Sequence, residues 1–179
     1  MPSQQINLPH RKSIRLKEYD YASPAEYFIT ICTYERGCLF GGIINDEMVL
    51  NSFGLIVQEE WSKTQIIRPE LELDEFIIMP NHLHGIIVIK DVPRNMVGTH
   101  GSASLRRQPR SLGSIIAGFK SAATKRINEE RKMPRTPVWQ SRFYEHIIRN
   151  GKDLNNIREY FINNPMQWYV DEENPRRDV

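Results

Sequence analysis

The chain has 179 residues, 40% hydrophobic and 26% charged, which is enough for one domain with a sizeable core and is ordinary for a globular protein. Its formal net charge of +2 conceals an uneven distribution, because residues 94–135 carry ten Lys/Arg against only Glu129 and Glu130. A local basic excess of this kind attracts phosphate backbones, so a polyanion is the first partner to consider. The two cysteines, Cys32 and Cys38, exclude a disulfide framework and lack the second Cys/His pair of a structural zinc site. No apolar run approaches a membrane span and no signal-peptide core precedes the first charges, so a cytoplasmic protein is expected.

In chain order, residues 1–20 carry Arg11, Lys12, Arg15 and Lys17 with few core formers. They read as a basic arm for a polyanion or, equally, as a solvated terminus. Residues 27–33, rich in β-branched and aromatic side chains, predict a first strand; Gly41-Gly42 then breaks the pattern, and a short apolar segment follows around Met48 to Leu50. Asn51 or Ser52 is placed to cap a helix running to Ile66 and closed by Pro69. Residues 71–79 predict a second strand. Pro80-Asn81 is a turn signal before a third strand reaching Ile89, paired antiparallel with the second.

Residues 91–111 show no sustained period and hold Arg106, Arg107 and Arg110, as expected of a long basic loop. Residues 112–131 place Ile115, Ile116, Phe119, Ala123 and Ile127 at helical spacing, with Lys120, Lys125 and Arg126 interspersed. Residues 138–148 predict a last strand, and a final helix begins near Asp153 as N-cap and stops at Pro165. The order β, α, β, β, α, β, α specifies an α+β fold: a ferredoxin-like split βαβ antiparallel sheet with helices on one face and an extra C-terminal helix. The expected organisation is an arm (1–20), one domain (21–170) and a tail (171–179).

The stretch Met79-Pro80-Asn81-His82-Leu83-His84-Gly85 sets two histidines one residue apart in an apolar run. On a strand they share a face while Leu83 enters the core, so two imidazoles can share one metal ion. Two neutral imidazoles and an oxygen donor suit Mn²⁺, Mg²⁺, Co²⁺ or Zn²⁺ with open positions, and the histidines tilt the choice toward manganese. Tyr160 and Asn164 are four apart on the last helix and share its face. A tyrosine hydroxyl near a divalent cation loses its proton more readily and can act as a nucleophile on phosphorus. Asn164 reads either as a third ligand or as a helix cap. Lys120 reads as a phosphate contact or as part of a solvated face, and Glu145-His146 as a supporting polar pair.

Three ordered motifs resemble the single-tyrosine HUH transposases of the insertion-sequence-200-like superfamily, most of all the REP-associated tyrosine transposases. They are Met79 to His84, the run Trp139-Gln140-Ser141-Arg142-Phe143-Tyr144-Glu145-His146 continuing to Asn150, and Tyr160 to Pro165. The N-terminal Ile14-Arg15-Leu16-Lys17-Glu18-Tyr19 leading into Tyr27-Phe28-Ile29-Thr30 is also similar. The resemblance implies a divalent metal, Mg²⁺ or Mn²⁺, on His82, His84 and Asn164, at the last of which many relatives carry Gln. It implies that Tyr160 is the catalytic residue, cleaving single-stranded DNA at hairpin-forming repeats through a 5′-phosphotyrosine link and releasing a 3′-hydroxyl that permits strand transfer. The basic arm and helix, with Arg11, Lys12, Arg15, Arg106, Arg107, Arg110, Lys120, Lys125 and Arg126, are the expected DNA contacts, in a monomer or homodimer. Two rival readings are a hairpin-binding regulatory protein without catalysis and a metallohydrolase that uses a metal-bound water.

Overall fold

Residues 20, 21, 23–91 and 111–176 are described by the computed structural model. The basic arm with Arg11, Lys12 and Arg15 lies outside the described residues, as does nearly all of the basic loop, including Arg106, Arg107 and Arg110. Strand β1 (Ala25–Cys32) leads through a 3-10 turn to a hairpin, β2 (Gly41–Ile44) and β3 (Glu47–Leu50). Then follow α1 (Ser52–Ile67), β4 (Leu71–Met79), β5 (His82–Ile89), α2 (Leu112–Glu130), β6 (Tyr144–Ile148) and α3 (Gly151–Asn163). No helix among the described residues is long and apolar enough to cross a membrane.

The main sheet is antiparallel throughout, in the order β4-β5-β1-β6. With α1 between β1 and β4 and α2 between β5 and β6, this is the split βαβ, ferredoxin-like arrangement expected from the sequence. Strand parity divides the sheet into two apolar layers. Tyr27, Ile29 and Ile31 of β1 and Leu83 and Ile87 of β5 join Trp61 of α1 and Ile115, Phe119 and Ile127 of α2 in the larger core. Phe28, Ile86 and Ile148 point to the opposite face, where Ile157 and Phe161 of α3 cover them. The extra helix therefore lies on the sheet face that α1 and α2 leave open.

Gly85 permits the close approach of α1. A Cβ there would stand 2.7 Å from Cζ2 of Trp61, whose ring is fully buried. Gly85→Ala should therefore cost about 1–3 kcal/mol, as overpacking of a closed core does, read as a lower urea midpoint at unchanged slope. Between the two covering helices, Glu60 accepts from Lys63 Nζ at 2.9 Å and from Arg126 Nη1 at 2.7 Å. Burial pushes the Glu60 carboxyl up, but the hydrogen bonds and charges of Lys63 and Arg126 outweigh it and leave the group below its ordinary value of 4.5. A lowered carboxylate contributes stability that is present above its ordinary value and lost as pH falls through its value in the folded protein. Glu60→Gln should flatten the loss of stability below about pH 4.5, measured by urea unfolding across pH.

Three local expectations are corrected. Residues 41–50, expected as a pattern break and a short apolar segment, form the hairpin β2–β3. Its turn is Asn45-Asp46 with φ of 51° and 63°, a pair suited to a tight two-residue hairpin turn. The last strand covers only Tyr144–Ile148 instead of 138–148. Trp139 makes a single bridge to Thr33, after which the carbonyls of Gln140 and Arg142 accept from Lys120 Nζ at 2.8 and 2.9 Å instead of continuing a ladder. The last helix is capped by Asn150, whose side chain accepts from the Asp153 amide at 2.9 Å, and not by Asp153. Asp153 occupies the first turn and pairs with His146 Nε2 at 2.9 Å, where a carboxylate also complements the helix dipole.

Candidate active site

Strand β5 carries both histidines to the face covered by α3. His82 and His84 are 0% and 2% exposed, with ring centroids 4.4 Å apart, while Leu83 is buried in the opposite core. Register sets Thr30 of β1 and Ile77 of β4 on either side of His84, and Cys32 and Met79 on either side of His82. The ring nitrogens are held from behind. Nδ1 of His84 lies 2.8 Å from Oγ1 of Thr30, and Nδ1 of His82 lies 2.9 Å from Oδ1 of the fully buried Asn81.

Helix α3 is seated over these rings by two devices. Ile157 and Phe161 fill the apolar layer against Phe28, Ile86 and Ile148, and Arg158 Nη2 donates to Asp74 Oδ2 at 2.5 Å, where β4 shifts register between Leu73 and Phe76. One turn is thereby aimed at the histidines. The Tyr160 hydroxyl stands 3.0 Å from Nε2 of His84, with the two ring centroids 5.2 Å apart. Phe28 packs edge-on against Tyr160, and Phe161 stacks with His84 at an interplanar angle of 12°.

Asn164 is 2% exposed and is the C-cap residue of α3 with helical backbone angles (φ −59°, ψ −44°). Its backbone amide does the capping, donating to the Phe161 carbonyl at 3.4 Å. Its Oδ1 is buried with no hydrogen-bond partner among the described residues. An unsatisfied buried oxygen costs about 1–3 kcal/mol, which a cation can offset.

The structure adds a residue that the sequence does not single out. His82, His84 and Asp171 place one ligand atom each within 4.8 Å of one another, so these three can hold a metal ion. Asp171 follows the 3-10 helix Pro165–Val170, which folds the chain after α3 back toward β5, with Trp168 6.1 Å from His82 by ring centroids. A carboxylate in a segment expected to be a tail gives no local signal. Glu173, 1% exposed, forms an ion pair with Arg36 at 3.2 Å. Of the described basic residues expected to meet a polyanion, Lys120 donates to two carbonyls, and Arg126 pairs with Glu59 and Glu60 at 2.7 Å each. Lys125 is 77% exposed and lies 3.9 Å from Glu129.

Compared with known proteins, the chain matches no family model. A solved structure of a REP-associated tyrosine transposase bound to a REP hairpin superimposes with a TM-score of 0.57 at 20% identity, covering 84% of this chain and 72% of that one. The fold is thus that of the REP-associated tyrosine transposases, as the motifs implied. A Haemophilus influenzae protein assigned as a REP-associated tyrosine transposase is 29% identical over 98 residues, half of this chain and 47% of its own length. Over 168 residues, 91% of this chain and 92% of the other, an uncharacterized Haemophilus influenzae protein is 41% identical. The chain belongs to one family with that protein.

Proposed function

We propose that this protein is a divalent-metal-dependent transposase, a nuclease and strand transferase for single-stranded DNA at hairpin-bearing repeats, with Tyr160 as its nucleophile. The observation that carries the reading is the 3.0 Å approach of the Tyr160 hydroxyl to a histidine of a three-residue cluster whose geometry can hold a metal ion. The likeness of fold to a REP-associated tyrosine transposase that binds a REP hairpin supports the substrate class.

His82 and His84 would hold the metal with the Asp171 carboxylate or the Asn164 amide oxygen. Imidazoles with oxygen donors favour Mn²⁺ over Mg²⁺, which prefers an all-oxygen shell. When bound, the metal supplies Lewis-acid stabilisation of charge developing on the phosphodiester oxygens. The chain's own residues do the rest. Phe28 packs edge-on against the Tyr160 ring and Phe161 lies beside it, which holds the phenol oxygen next to His84 for attack on phosphorus. That oxygen gives up its proton and bonds to phosphorus; the P–O3′ bond breaks, and the departing oxygen takes a proton to become a 3′-hydroxyl. Attack by another 3′-hydroxyl reverses the step and rejoins strands, so no external energy source is needed.

The basic residues, with Lys125 on α2 and Arg11, Lys12, Arg15, Arg106, Arg107 and Arg110 elsewhere, would bind the hairpin backbone, at the nucleoid in the cytoplasm. The test is incubation with Mn²⁺ and end-labelled hairpin DNA from repeats flanking the gene, followed by a denaturing gel. A labelled protein band is the expected result. Cleaved DNA without that band overturns the tyrosine chemistry in favour of a water nucleophile, and bound but intact DNA overturns catalysis.

A further inference from the structure

Asn81 sits in the turn between β4 and β5, 0% exposed, immediately before His82. Its Nδ2 donates to the Arg36 carbonyl at 3.0 Å and to the Glu173 carbonyl at 2.6 Å, which occupies both amide hydrogens. The amide cannot be turned over, since that would aim Oδ1 at two carbonyl oxygens. Oδ1 therefore faces His82 Nδ1 at 2.9 Å as an acceptor, and a contact with an acceptor-only oxygen requires the proton on Nδ1. A neutral imidazole protonated at Nδ1 presents its lone pair at Nε2.

The same amide reaches the segment that carries Asp171. Glu173, whose carbonyl Asn81 holds, donates its own backbone amide to Asp171 Oδ1 at 2.6 Å. Arg36 braces the segment from the other side, with Nη1 donating to the Glu172 carbonyl at 3.1 Å and Nε pairing with the Glu173 carboxylate at 3.2 Å.

We infer that Asn81 is a positioning residue that fixes His82 as the Nδ1-protonated tautomer, with Nε2 as the ligand atom, and seats the 171–173 segment so that Asp171 stands beside the histidines. The assignment to metal binding rests on the proposed function; the tautomer and the seat do not. Outer partners that orient ligating imidazoles are worth about 10–100-fold in metal affinity.

The test reads the His82 ring nitrogens in the metal-free full chain by long-range ¹H–¹⁵N NMR, then Mn²⁺ affinity by calorimetry. In the wild type, Nδ1 should be protonated and Nε2 bare. Asn81→Ala should lose that preference and weaken Mn²⁺ binding about 10–100-fold. Asn81→Asp keeps an acceptor for Nδ1–H but has no hydrogens for the two carbonyls. It should retain the tautomer while the Glu173 amide exchanges faster and Mn²⁺ binding stays weakened, because an oxygen set against those carbonyls removes the seat of Asp171. A wild-type His82 protonated at Nε2, or an Asn81→Ala variant with unchanged tautomer and affinity, overturns the inference. If Asn81→Ala does not fold, the wild-type spectrum and Asn81→Asp still decide it. A wild type with the expected tautomer that binds no Mn²⁺ upholds the positioning role and overturns the metal reading instead.

Discussion

Tyr160→Phe should lower formation of the covalent protein–DNA product by about 10⁴-fold or more, the scale seen when a nucleophile is deleted from an otherwise intact site. Hairpin binding should survive, because the change removes one oxygen and no charge. The fold should survive as well. The ring keeps its packing against Phe28 and Phe161 on the α3 face, and the 3.0 Å contact with His84 is lost. A hydrogen bond of that kind contributes about 1 kcal/mol, a small part of the stability of a domain this size. The measurement pairs the denaturing-gel assay with a gel shift and a urea midpoint on the same preparation. A Tyr160→Phe variant that still forms the adduct would show that another group attacks phosphorus.

The second large effect is on metal binding. Mn²⁺ held by the folded state alone should raise the melting temperature, by about 5–10 °C at roughly one hundred times the dissociation constant for a chain of this length. His82→Ala and His84→Ala should each abolish that rise and weaken Mn²⁺ binding by at least about 100-fold, since removing a ligand costs no less than removing its outer partner. Each variant also leaves a hole beneath α3 and strands its partner, Asn81 Oδ1 or Thr30 Oγ1, so its baseline melting temperature should fall. The metal-induced shift separates the two effects, because it is measured against each variant's own metal-free baseline. Asp171→Asn and Asn164→Ala apportion the oxygen donor: the variant that loses more of the shift identifies the ligand. An undiminished shift in both histidine variants would place the metal elsewhere.

The expected architecture is legible in the sequence because its signals are local. The apolar runs of β4 and β5, the cap at Asn51 and the helical spacing of Ile115, Ile116, Phe119 and Ile127 all reappear in the structure. The last strand departs from expectation because residues 140–143 leave the ladder between Trp139 and Tyr144. There the carbonyls of Gln140 and Arg142 accept from the distant Lys120, and nothing within residues 138–148 announces that contact. The hairpin at Asn45-Asp46 is the exception, since its turn residues are a local signal already present in the sequence.

The site divides along the same line. Backbone geometry ties sequence spacing directly to direction, so the sequence alone determined that His82 and His84 share one sheet face, with Leu83 on the other, and that Tyr160 and Asn164 lie one helical turn apart. Only the tertiary structure decided that α3 docks on the face bearing those histidines. That choice depends on Ile157 and Phe161 filling the layer of Phe28, Ile86 and Ile148 and on Arg158 reaching Asp74. It likewise decided that Asp171 and Asn81 join the site, because the chain after α3 turns back onto β5 and is pinned by Arg36. Such contacts join residues tens of positions apart, and no periodicity of the chain encodes them; they follow from which surfaces bury one another when the whole sheet is assembled.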